Sequence, residues 1–156
     1  MARNESQLST IYHLETHSSE LITEMITVGR DFKKNDFMEL SLKDLGAEYE
    51  ITLKTTIEHK STRKMKIAKF VNEKVKTSCF LLDKQMLGKD KWKLSAEIRR
   101  GARHQLRIQS AFLDMPIIGD DLYGWAEEEA LKLFCFAAKT DTQTYFAAND
   151  TEGSST

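Results

Sequence analysis

The sequence predicts an α+β domain built on a mainly antiparallel sheet with few helices. Three observations predict it. Apolar and polar residues alternate with period two over several stretches. Turn-forming residues separate those stretches. Helical spacing is confined to two short segments between them.

Tyr49 to Ile57 alternates, with Tyr49, Ile51, Leu53 and Ile57 on one face, which predicts one half-buried strand. Val75 to Leu81 repeats the pattern through Val75, Cys79 and Leu81. Trp92, Leu94, Ala96 and Ile98 alternate with Lys93, Ser95, Glu97 and Arg99, and Gly88-Lys89-Asp90 supplies the turn before them. Lys132 to Ala138 and Thr144 to Ala147 are shorter apolar runs and read as strands. One helix is expected from Asp36, an N-cap with Glu39 as capping-box partner, through Phe37, Leu40 and Leu45 to Gly46 at C′. A second is expected from about Arg103 to Leu113, with Leu106, Ala111 and Leu113 as its apolar stripe and Pro116 marking its end.

The 156 residues fit one domain, and 40% hydrophobic with 30% charged residues is a globular composition. Residues 1–10 form a lead, 11–148 the domain, and 149–156 a small polar tail expected to be disordered. No apolar run approaches the roughly 18 residues of a membrane span. Met1 to Thr10 is polar and carries Glu5, unlike a secretion signal or transit peptide, so a cytoplasmic location is expected. Cys79 and Cys135 lack metal-ligand spacing and read as buried free thiols in a reducing compartment. His13 and His17 belong to no zinc pattern and read as surface residues. No metal or organic cofactor is expected.

The formal net charge is −1, which argues mildly against a nucleic-acid partner. Its distribution argues the other way. Arg99, Arg100, Arg103, His104 and Arg107 fall within nine residues, and Lys60, Arg63, Lys64, Lys66 and Lys69 form a second basic run. Glu127, Glu128 and Glu129 offset them elsewhere. A local field, not the total, steers a polyanion.

Two linked segments carry the most information. The first is Gly101-Ala102-Arg103-His104-Gln105-Leu106-Arg107. The second is Pro116-Ile117-Ile118-Gly119-Asp120-Asp121-Leu122-Tyr123-Gly124. On chemistry alone they are a basic turn, a helix start with free N–H groups, and a Gly/Asp loop. That suits phosphate contact, and it equally suits a solvated basic helix end. Together they resemble the paired signature of the RluA-type RNA pseudouridine synthase family, with departures at Ala102 and Arg103. Upstream, Tyr12-His13-Leu14-Glu15-Thr16-His17-Ser18-Ser19-Glu20-Leu21 is similar to that family's catalytic segment, with Glu15 where the family has Asp.

The resemblance covers roughly Ile11 to Ala147. It implies a cofactor-free isomerisation of uridine to pseudouridine in ribosomal or transfer RNA, on a base turned out of its stack. It implies Glu15 as the reacting carboxylate, Arg107 as its ion-pair partner, and Tyr49 stacked on the base. Tyr49 equally fits a strand residue packed on the core, and Arg107 also fits a pair with an unrelated acid on its own helix. Leu106 would pack on the other side of the base. His104, Gln105, Arg103, Arg100 and Arg99 would bind substrate. The Asp120-Asp121 loop would shape the fold beside the cleft. Family domains carry strands before the catalytic segment. About ten residues precede it here, so an open sheet edge is expected, covered by a dimer mate, a partner chain or RNA. Glu is one methylene longer than Asp, and about 1 Å of misplacement can cost on the order of a hundredfold in rate. Three readings therefore stand: an active synthase, a degenerate relative that binds RNA or serves ribosome assembly, and a structural protein that has lost RNA contact.

Overall fold

The computed structural model describes residues 9–34, 38–46, 48–69, 77–88, 90–99, 101, 104–125, 129–140 and 143–146, with the backbone course alone for 32–34 and 77–84. In chain order the elements are β1 (Ser9–His17), α1 (Glu20–Val28), β2 (Phe32–Lys34), β3 (Met38–Asp44), β4 (Tyr49–Lys54), β5 (Ile57–His59), β6 (Met65–Ile67), β7 (Thr77–Gly88), β8 (Lys91–Arg99), α2 (Gln105–Phe112), β9 (Leu133–Lys139) and β10 (Thr144–Phe146). Eight of these strands form one sheet in the order β10-β9-β1-β8-β7-β4-β3-β2, and β5 pairs with β6 in a separate ribbon. Every described pair is antiparallel. The predicted α+β class and antiparallel sheet are thus observed.

The two faces of the sheet differ because alternation is strict in its central strands. In β8, Trp92, Leu94, Ala96 and Ile98 are buried and Lys93, Ser95, Glu97 and Arg99 point the other way. In β1, Leu14 opposes Leu94 and Thr16 opposes Trp92, so both face the core. Glu15 opposes Lys93 and His13 opposes Ser95, on the outer face. Both helices pack on the core face. Ile22 and Met25 of α1 and Leu106 of α2 join one cluster with Leu14, Leu40, Leu53 and Leu94. The outer face carries no helix among the described residues.

Several expectations need correction. The helix expected from Asp36 to Gly46 is strand β3 over its described part, Asp36 and Phe37 lying outside the described residues. Met38-Glu39-Leu40-Ser41-Leu42-Lys43 alternates strictly, and Met38 and Leu40 are buried opposite β4. Gly46 adopts a positive φ of 92° in the β3–β4 turn, where Asp44 Oδ1 accepts from its N–H at 2.9 Å. The single strand expected over Tyr49 to Ile57 divides after Lys54. Thr55 leaves the sheet, fully buried, and accepts from Gln109 Nε2 at 2.8 Å.

Helix α1 was not anticipated. Its signals are nonetheless present: Ser19 caps it, with Oγ accepting from Ile22 N at 3.3 Å, and Gly29 ends it with a φ of 79°. The second helix is observed slightly shorter than expected, as α2. Cys135 is exposed, contrary to the buried thiol expected, because it sits beyond the β1–β9 irregularity on a strand next to the edge. The Cys79 side chain, Arg100, Arg103 and the polar tail lie outside the described residues.

Candidate functional site

The signature residues assemble a tight polar joint on the helix side of the sheet. Arg107 Nη2 lies 2.7 Å from Oδ1 of Asp120, whose side chain is fully buried. The same Oδ1 accepts from the backbone N–H groups of Leu122 at 3.1 Å and Tyr123 at 3.2 Å. One carboxylate oxygen thus fixes a turn and a helix at once. Tyr123 OH accepts from Met65 N at 2.9 Å and shares a hydrogen bond of 2.7 Å with His104 Nδ1. The Tyr123 ring lies beneath Lys64 Nζ at 5.8 Å and Arg107 Cζ at 5.6 Å. Ribbon β5–β6, α2 and the loop after it are joined through this one ring.

The glycines of the signature serve the same joint. Gly119 has a φ of 88°, and an added Cβ would stand 2.2 Å from Ala130 O. At Gly124 it would stand 2.7 Å from both Asp120 O and Pro116 Cβ. Neither position admits a side chain without displacing backbone.

The expected Glu15–Arg107 ion pair is not formed. Arg107 is held by Asp120, and Glu15 projects from the outer face while α2 packs on the core face. Tyr49 also packs on the core side and does not meet Glu15. Leu106 is 4% exposed within the core, so it offers no surface to a base. Gln105 is buried too, its Nε2 3.4 Å from Gln109 Oε1. Arg99 is exposed at the end of β8, opposite Ser9 on the outer face.

Glu15 lies instead in a cleft of about 240 Å³ lined by His13, Leu14, Glu15, Lys93, Phe134, Cys135 and Phe136. Cavities of about 150 Å³ accept benzene, so this one has room for a pyrimidine ring. The backbone of Glu15 is anchored along one edge of β1, its N–H donating to Lys132 O at 3.1 Å and its carbonyl accepting from Ile118 N at 2.9 Å. His13 stacks on Phe136 with ring centroids 4.1 Å apart. Burial lowers the pKa of His13 below its ordinary value, and the charge of Lys93 adds to the effect. A neutral imidazole, a carboxylate and an ammonium therefore share one aromatic-walled cleft. Burial raises the pKa of Tyr12, helped by the neighbouring Cys135.

His17 continues the row on the outer face, its ring 4.3 Å from that of Trp125. Of this cleft, sequence reasoning singled out Glu15 alone for a functional role. Lys93 was legible as the outward side of an alternating strand, a signal that separates faces and does not rank them. Strand β1, which carries His13, was not anticipated, and the continuous apolar run Leu133 to Ala138 assigns neither Phe134 nor Phe136 to a face. Among the described residues, no group of three or more His, Cys, Asp or Glu could hold a metal. No described helix is long and apolar enough to cross a membrane.

No family model matches the sequence, and no curated protein matches it. Solved structures do. The human protein "RNA Pseudouridylate Synthase Domain Containing 1" superposes with a TM-score of 0.60 at 17% identity, over 93% of this chain and 55% of that one. The human "RNA Pseudouridylate Synthase Domain Containing 4" superposes with a TM-score of 0.52 at 14% identity, over 91% of this chain and 58% of that one. This chain therefore spans less than three fifths of either neighbour, and what it shares with them is an α+β, pseudouridine synthase-like fold.

Proposed function

We propose that the protein handles RNA as a pseudouridine synthase does: a uridine turned out of its strand enters the cleft on the outer face, with Glu15 as the reacting carboxylate. The observation that carries this reading is the placement of Glu15. Its backbone is held by hydrogen bonds to Lys132 and Ile118, and it lines an aromatic-walled space of pyrimidine size. The fold shared with the two human structures supports the same class of chemistry. The reaction is an isomerisation. The C1′–N1 bond breaks, the base turns, C5 bonds to C1′, and the C5 proton is lost while N1 gains one. Nothing in that balance requires a co-reactant. Base stacking in this cleft falls to Phe136, His13 and Phe134, not to Tyr49. RluA-type descent, and ribosomal or transfer RNA as substrate, are parts of the same proposal.

The test is single-turnover incubation of excess protein with uridine-containing RNA, followed by pseudouridine mapping. Wild-type protein is expected to form pseudouridine, and Glu15→Gln to bind the RNA without forming it. RNA bound by wild type with no pseudouridine formed would overturn the catalytic reading. A second reading would then stand, an RNA-binding protein without catalysis. The capture of Arg107 by Asp120 favours it, because the guanidinium expected to orient the carboxylate is engaged elsewhere.

A further inference from the structure

We infer that the outer face is a stacking platform for single-stranded RNA, with rings on both sides of Glu15 that receive the bases flanking the extruded uridine. This rests on the RNA reading above and adds to it the form of the substrate. Strand alternation puts His13, Glu15 and His17 on one face of β1. On one side of the carboxylate, His13 stacks on Phe136 of β9, and Phe136 meets Phe146 of the edge strand β10 at 5.5 Å between ring centroids. On the other side, His17 meets Trp125 at 4.3 Å. The outermost rings are open: Phe146 is 66% exposed, Trp125 54% and Phe136 38%.

Rings in contact across neighbouring strands, still open to solvent, are what a run of unpaired bases needs. A duplex keeps its bases stacked on one another and has no use for such a row. The flanking charge suits a phosphate backbone. Lys93 faces the cleft across the β1–β8 pair, and Arg99 stands exposed on the same face. Lys139, 3.7 Å from Glu97, stands beside them with its charge partly offset. An apolar protein partner would need no cations in that position. The basic ribbon from Ile57 to Ile67 lies against Tyr123 on the helix side and is not part of this row.

The experiment is fluorescence anisotropy with a labelled oligouridylate, free or annealed to its complement, read beside pseudouridine formation in the same samples. Each stacked base contributes about 1–3 kcal/mol. Phe146→Ala and Trp125→Ala should therefore each weaken single-strand binding roughly five- to hundredfold and leave duplex binding unchanged. Both side chains are more than half exposed, so the variants should fold, and a thermal melt checks it. Phe146→Trp should restore binding and Phe146→Leu should not, because leucine keeps apolar area without a π-face. Alanine variants that bind as wild type does would overturn the inference. So would leucine working as well as tryptophan, the result expected of a surface for a protein or a second copy of this chain. Failure of wild type to bind single strands would overturn it together with the RNA reading. Wild type that forms pseudouridine while the alanine variants bind normally would remove the platform alone. Wild type that stacks single strands without modifying them would remove the catalytic reading alone.

Discussion

Arg107 and Glu15, on opposite faces of the sheet, show how charges acquire different work from their surroundings. Asp120 is fully buried and has Arg107 as its cation, so removing the guanidinium strands a carboxylate without water. Breaking a buried pair from one side costs about 3–5 kcal/mol. Arg107→Ala should therefore lower the denaturation midpoint markedly in a urea titration, while RNA affinity measured on the folded fraction stays near wild type. His13 offers a pH test. Its pKa is lowered in the folded state by burial first and by Lys93 second, so the unfolded chain binds its proton more readily. The resulting stabilisation is complete above the ordinary histidine value near 6.5 and is lost as pH falls toward the lowered folded value. An NMR titration should place the His13 midpoint below that ordinary value. His13→Phe should flatten the matching part of the stability–pH curve, and an unshifted midpoint would contradict the buried, lysine-facing environment.

At the scale of elements, residues 116–124 after α2 are tightly specified. Gly119→Ala places a methyl group on the Ala130 backbone at a positive φ, and a loss on the order of 3 kcal/mol or more is expected in chemical denaturation. Ser19 joins two elements, because its Oγ caps α1 and also donates to Leu113 O at 2.8 Å behind α2. Ser19→Ala should cost about 1–3 kcal/mol, above an ordinary cap, since a buried carbonyl loses its donor too. These segments also show what the sequence made legible. The strand pattern of Trp92 to Ile98 was readable because burial alternates there without interruption. The stretch before Gly46 misled because an N-cap, a capping-box Glu and a C′ glycine coincide by spacing. The pairing of Met38 and Leu40 with β4 then decides in favour of a strand. Local signals of about 1 kcal/mol yield to burial of a whole face. The capture of Arg107 by Asp120 was not legible, since a motif fixes which residues are present and not which of two acids a guanidinium meets.

At the scale of the whole molecule, the sheet separates a helix-packed core side from an open outer side, where the proposed chemistry would take place. The helices, the buried ion pair and the signature glycines lock one face, and the other presents Glu15, Lys93 and a row of rings. The formal charge of −1 does not oppose the proposal, because Lys93 and Arg99 share the outer face and a local field steers a polyanion. Binding of single-stranded RNA should weaken as salt rises. Arg99→Ala should reduce the slope of log affinity against log salt by about 0.7, the share of one phosphate contact. A salt-independent affinity would contradict a phosphate-bound strand. The most direct test of the account is an NMR map of backbone amides during titration with a short uridine-containing single strand. Shifts concentrated at residues 13–17, 93 and 134–136, with Arg107, Asp120 and Tyr123 unmoved, are the expected result. Shifts confined to the Arg107–Asp120–Tyr123 joint, with the Glu15 cleft unmoved, would contradict it.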